Sequence, residues 1–139
     1  MIVLDTNVLS AVMQREPPSE VVAWLDRQPA NSIWTSAVTV FEVEYGLRRL
    51  PEGKRRHRLQ EAFRAVLAEE LGGRILPFDA QAALAAGSIS AKLEASGQTV
   101  EIRDVQIAGI AKARQATVAT RNVKHFEHSC PVVNPWEDD

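Results

Sequence analysis

The sequence predicts an α/β protein, with a short central parallel β-sheet carrying helices on both faces. Three observations lead there. The strand-like segments are short and almost continuously apolar (Ile2-Val3-Leu4, Ile33-Trp34-Thr35, Arg74 to Phe78, Val118-Ala119-Thr120, Val132-Val133), as strands covered on both faces are. Longer stretches of helical periodicity separate most of them, and strands joined through helices pair in parallel. No repeat, low-complexity tract or Ser/Gly linker interrupts the 139 residues, so residues 1–139 are expected to form one domain around one core.

The elements follow in order. Ile2-Val3-Leu4 is a buried strand cut off by Asp5-Thr6-Asn7, and Val8, Leu9 and Val12 mark the helix after it. Pro17-Pro18 breaks that helix, and Ser19 is expected to cap a second one carrying Val21, Val22, Trp24 and Leu25. From Ser36 the pattern turns helical: Val40, Val43, Leu47 and Leu50 form one apolar stripe, and Val38, Phe41 and Tyr45 a second on the other side. Two stripes predict a helix largely buried all round. Pro51 and Gly53 end it, and a basic helix follows with Leu59, Phe63, Val66, Leu67 and Leu71 inward and Gly72-Gly73 as its stop. Asp79 is placed to cap an alanine-rich helix ending near Gly97, and Val105, Ile107, Ala108, Ile110 and Ala111 predict a buried helix whose cap Asp104 would supply.

Composition excludes several classes. No apolar run approaches the roughly 18–20 residues of a membrane span. The opening residues carry neither a basic region nor an apolar stretch of signal length, so a cytoplasmic protein without membrane contact is the simplest expectation. Cys130 is the one cysteine, which rules out an intrachain disulfide. His125 and His128 beside it fit no zinc spacing, so these residues are expected to be surface histidines and an inert thiol. Net charge is −2, yet the segment from Arg48 to Arg64 holds seven basic residues (Arg48, Arg49, Lys54, Arg55, Arg56, Arg58, Arg64) against Glu52 and Glu61. That surplus of five leaves −7 on the remainder. It reads either as a solvated helix face or as a basic arm for a polyanion.

In an open α/β sheet, ligands bind beyond the carboxyl ends of the strands. Asp5 stands at such an end, Asn122 lies two residues past Thr120 at another, and Asp104 and Glu42 belong to helices expected to be buried. Asp5, within the cap-rich Asp5-Thr6-Asn7, also reads as a helix cap. Glu42 is harder to dismiss, because it borders an apolar stripe and Gly46, one turn on, leaves room beside it. Glu44 faces the other flank, as a surface or salt-bridge residue. Gathered carboxylates repel one another and are costly to bury unless a cation balances them, and oxygen ligands suit magnesium. Metal-assisted phosphodiester cleavage needs such a cluster.

The residues resemble a known family. Leu4-Asp5-Thr6-Asn7-Val8-Leu9-Ser10 closely resembles the opening motif of PIN-domain nucleases, in particular VapC-type toxins of bacterial toxin–antitoxin pairs in their FitB-like branch. Thr39-Val40-Phe41-Glu42-Val43-Glu44-Tyr45-Gly46-Leu47 is similar to the second motif, Arg103-Asp104-Val105-Gln106-Ile107-Ala108 to the third, and Val118 to Asn122 followed by Asn134-Pro135-Trp136 to the closing segment. The resemblance spans essentially the whole chain in family order. It implies a PIN fold, endonucleolytic RNA cleavage with Mg²⁺ or Mn²⁺, a homodimer, and neutralisation by a cognate antitoxin that usually carries a DNA-binding domain. On it, Asp5, Glu42 and Asp104 are the metal ligands, Asn122 completes the catalytic set, and Thr6, Asn7 and Thr120 orient ligands or water. Arg48, Arg49, Lys54, Arg55, Arg56 and Arg58 would hold RNA or a partner.

There is one departure. Many relatives carry a fourth acid where Asn122 or His125 stands, and neither position is acidic here. With three acids, one metal position is expected to be kept and a second weakened. Two other readings stay open at this point. One is a phosphohydrolase with Asp5 as nucleophile, although such enzymes usually want a second Asp where Asn7 stands. The other is a catalytically weak binding module that acts mainly through its antitoxin.

Overall fold

The computed structural model describes residues 1–137. Among them the chain forms five strands and six α-helices: β1 (Ile2–Leu4), α1 (Thr6–Val12), α2 (Ser19–Asp26), β2 (Ile33–Ser36), α3 (Ala37–Arg49), α4 (Lys54–Ala65), β3 (Ile75–Leu76), α5 (Ala80–Ala95), α6 (Ile102–Arg114), β4 (Thr117–Ala119) and β5 (Val132–Val133). Every strand pairing is parallel, in the order β3-β2-β1-β4-β5. The expected fold class is the one observed. No helix among the described residues is long and apolar enough to cross a membrane.

Successive residues of a strand face opposite sides of a sheet, and β1 divides its side chains accordingly. Leu4 packs with Val8, Leu9, Trp24, Val43, Leu47 and Phe63 on one face. Val3 packs with Val38, Ile89, Ile107, Ile110 and Phe126 on the other. The order runs outward from β1 in both directions, so the switch point lies between β1 and β4. Leu4 pairs with Ala119 there, and the Asp5 N–H donates to the Ala119 carbonyl at 2.9 Å. The next residues, Asp5 and Thr120, therefore stand side by side at the mouth of the sheet.

Several local expectations are corrected. Ser19 is not a cap: Pro18 holds the N-cap position of α2, with no side-chain cap bond, and Ser19 is the first helical residue. A fixed proline φ in front of the helix supplies the entry geometry instead. The apolar segment from Arg74 to Phe78 pairs only at Ile75 and Leu76, because Pro77 has no N–H to continue the ladder. Asp104 is not the cap of α6, which starts at Ile102 with Glu101 in the cap position. The basic helix stops where expected, at Gly72 and Gly73, which take positive φ, although its last turn over Val66–Glu70 is π-helical.

The largest correction concerns α3. It is not buried all round: Val38, Thr39, Val43 and Leu47 are buried, but Phe41 is 56% and Tyr45 47% exposed. The helix packs against α1, α4 and α6, and on the Phe41–Tyr45 side the Arg103 guanidinium of α6 reaches over the two rings.

Candidate functional site

The site starts from the first β–α turn. Asp5 takes the N-cap position of α1 in extended conformation, and its Oδ1 accepts the Thr6 N–H at 2.8 Å. The cap reading of Asp5 thus holds, but the carboxylate does more. Its Oδ2 accepts from the Thr120 hydroxyl at 2.8 Å and the Asn7 side-chain amide at 3.2 Å. The Thr120 hydroxyl also accepts the Asn122 N–H at 2.9 Å, while Asn7 Oδ1 accepts the Arg121 N–H at 3.1 Å. These bonds tie the loop after β4 to the turn after β1.

The Thr6 hydroxyl reaches the other way, donating to Glu42 Oε1 at 2.9 Å. It lies 3.3 Å from the Thr39 hydroxyl, which sits beneath Ser36, the side-chain cap of α3. One threonine therefore bridges the β1 turn and α3. Gly46 does leave open space on that helix, since a Cβ added there would meet nothing within 4 Å.

Electrostatics mark the cluster as strained. Burial pushes the Asp5 carboxyl from its ordinary 3.8 up to about 6; the Thr120 and Thr6 bonds oppose the rise, and the negative charges of Asp104 and Glu42 add to it. Asp104 is also raised, chiefly by burial and against its hydrogen bond to His125. A shift upward despite donated hydrogen bonds means that burial outweighs them, with the neighbouring carboxylates adding to it.

Glu42 and Asp104 each have a nitrogen-bearing neighbour. Arg103 lies 3.5 Å from Glu42 Oε2, and His125 Nδ1 lies 2.6 Å from Asp104 Oδ2. Neither pairing is legible in the sequence, and His125, expected to be an idle surface histidine, is corrected here to a partner of Asp104. Cys130 is inert as expected, with its thiol pushed up by burial to about 11. Glu44 points away, paired with Arg48 at 2.9 Å.

Of the expected site residues, the structure gathers Asp5, Thr6, Asn7, Glu42 and Thr120 through direct bonds and Asp104 through its field on Asp5. Asn122 joins by its backbone N–H alone; its side chain is exposed and makes no hydrogen bond among the described residues. Lys54, Arg55, Arg56 and Arg58 do not touch the carboxylates, Arg56 bonding instead to the Leu50 carbonyl at 3.4 Å. Arg48 and Arg49 lie at the end of α3, with the Arg49 guanidinium 5.4 Å from the Tyr45 ring centre. A recess of about 480 Å³, lined by Val12, Pro17, Leu25, Val66 and Leu71 among others, includes none of the three acids.

Oxygen donors of this kind suit a hard divalent cation, and the negative potential at Asp5 is what such a cation relieves. Among the described residues no three acidic, imidazole or thiol groups are yet close enough to share an ion. Glu42 and Asp104 are occupied by Arg103 and His125 instead.

Residues 2–128 match the model of the PIN domain. The chain belongs to the PIN-domain family. The PIN-domain chain is 40% identical to the VapC ribonuclease Y4jK of Sinorhizobium fredii over 138 residues, 99% of each protein. It is 37% identical to toxin FitB of Neisseria gonorrhoeae, over 99% of this chain and 100% of that one. A structure of FitAB bound to a DNA fragment superposes with a TM-score of 0.90 at 36% identity, covering 100% of this chain and 98% of that chain.

Proposed function

We propose that this PIN-domain protein is a toxin-type endoribonuclease that hydrolyses RNA phosphodiester bonds with Mg²⁺ or Mn²⁺ and is neutralised by a cognate antitoxin. The observation that carries the reading is Asp5: a buried carboxyl at the switch point, held high by burial and by the fields of Asp104 and Glu42. Likeness along the full length to proteins named ribonuclease and toxin supports the same reading.

Asp5, Glu42 and Asp104 would hold the metal, with Asn122 beside them. When bound, the ion would supply an activated water and stabilise the leaving oxygen. The chain's own residues prepare for it. Thr6, Asn7 and Thr120 fix the orientation of Asp5 and Glu42 through the bonds above. Arg103 pairs with Glu42 and His125 hydrogen-bonds Asp104, which positions both carboxylates. The basic residues from Arg48 to Arg58 would hold the RNA backbone or a partner. On this reading residues 1–139 act as one domain, in a homodimer, in the cytoplasm, with an antitoxin of DNA-binding type.

The sequence disfavours Asp5 as a phosphohydrolase nucleophile, because Asn7 stands where such enzymes usually want a second Asp, and its amide donates to Asp5 Oδ2 at 3.2 Å.

Incubation of the purified protein with single-stranded RNAs and Mg²⁺ or Mn²⁺ tests the assignment. Wild type is expected to cut, and Asp5→Asn, Glu42→Gln and Asp104→Asn to lose on the order of 100-fold or more in rate. Mn²⁺ is expected to raise the melting temperature of wild type but not of Asp5→Asn. Undiminished cleavage by Asp5→Asn removes the assignment. Tight antitoxin binding without any metal-dependent stabilisation points to the binding module instead.

A further inference from the structure

Phe41 and Tyr45 sit one turn apart on α3 with their ring planes 2° from parallel and their centres 6.1 Å apart. Both are about half exposed, whereas Trp24, Phe63 and Phe126 are buried in the two cores. The Arg103 guanidinium lies 5.3 Å from the Phe41 ring centre and 5.8 Å from that of Tyr45. The same group lies 3.5 Å from Glu42 Oε2, so its position is fixed from several sides. Arg49 approaches Tyr45 as well, at 5.4 Å.

We infer that Phe41, Tyr45 and Arg103 form a preorganised shelf on which an unpaired nucleobase of the RNA stacks beside the scissile phosphate. This rests on the ribonuclease reading above. Glu42 lies between the two rings in sequence, and Arg103 directly precedes Asp104, so the shelf adjoins two of the three carboxylates. An acidic centre repels a polyanion. An anchor that does not depend on phosphate charge, flanked by guanidinium groups that do neutralise phosphates, offsets the repulsion where it is strongest. Aromatic faces stack on any base, and guanidinium planes do the same. Bases in a duplex are already stacked within it, so the shelf selects single-stranded RNA or loops.

The test uses a single-stranded oligoribonucleotide carrying 2-aminopurine, whose fluorescence is quenched by stacking, titrated with the full chain in EDTA so that the RNA stays intact. Phe41→Leu and Tyr45→Leu keep apolar volume but remove the π-face, and both positions are exposed enough for folding to survive. Wild type is expected to quench the probe, each leucine variant to bind it roughly 5- to 150-fold more weakly, and a duplex of the same sequence to show no quenching. Equal affinity and quenching in wild type and both variants overturn the inference, as does a loss of self-association in sedimentation with RNA binding unchanged. The two readings fail separately. Wild type that stacks the probe yet cuts no RNA in Mg²⁺ or Mn²⁺ leaves the shelf and removes the ribonuclease; wild type that cuts while the variants stack normally does the reverse.

Discussion

Asp5 is 3% exposed, accepts three hydrogen bonds and still has its carboxyl lifted to about 6. Its ordinary value is 3.8, so the folded protein holds this proton more tightly than the unfolded chain does. Stability therefore falls as pH rises from about 4 to about 6, and the full cost, on the order of 3 kcal/mol, persists above that window. Asp5→Asn removes the charge but leaves either the Thr6 N–H or both the Asn7 amide and the Thr120 hydroxyl without that acceptor. The variant is expected to be more stable than wild type by on the order of 1 kcal/mol at pH 7.5 in EDTA, and the gain should vanish near pH 4. Urea unfolding at the two pH values measures it. A variant less stable than wild type at pH 7.5 would mean that the bonds to Asp5, not its buried charge, dominate. At this scale the sequence was informative about the carboxylates, because Asp5, Glu42 and Asp104 sit in recognisable motifs. It was silent on Arg103 and His125, whose side chains cross from α6 to α3 and from the loop after β4 to α6.

Two glycines show how unequal the helices are. A Cβ on Gly109 of α6 would lie 2.5 Å from the Ala82 carbonyl oxygen and 2.9 Å from the Ala86 nitrogen of α5. Backbone cannot yield as a side chain tip can, so Gly109→Ala is expected to destabilise the protein by about 1–3 kcal/mol despite its better helix propensity. Gly46 of α3 faces open space, and Gly46→Ala should add up to about 1 kcal/mol. Thermal melts of the two variants are expected to move in opposite directions; a common direction would mean that helix propensity, not the α5–α6 packing, governs both. Element existence was readable from sequence because apolar runs and helical stripes carry it. Element environment was not. Phe41 and Tyr45 repeat at helical spacing just as core residues do, but their side of α3 meets the Arg103 guanidinium rather than an apolar neighbour, and both stay about half exposed. The start of α6 escapes sequence reading for a related reason: Ile102 is 61% exposed, so the first helical turn carries no inward apolar signal and the stripe begins only at Val105.

Across the whole molecule, the parallel sheet fixes where chemistry can occur, since its one switch point sets Asp5 beside Thr120, and this much followed from strand order. The charge distribution raises a separate question, because the excess of positive charge in α4 is badly placed for the helix itself. Lys54, Arg55 and Arg56 fill its first turn, which has no acidic residue and no side-chain cap. Cations at a helix N-terminus face the positive end of the macrodipole, a loss of about 0.3–1 kcal/mol each at low ionic strength. A charge pattern that opposes its own helix is better explained by a polyanion bound outside it. Replacing Lys54, Arg55 and Arg58 together by Gln should therefore act in two opposite directions. The protein is expected to melt higher at low salt, because two of the three sites lie in that first turn. RNA affinity should fall, and the plot of log affinity against log salt should flatten by about 0.7 for each phosphate left without its cation, about 2 in all for a single strand. Melts and binding isotherms between about 50 and 200 mM salt read both effects. An unchanged salt slope with a raised melting temperature would assign α4 to a protein partner, since a polyanion cannot release its counterions to charges it does not meet.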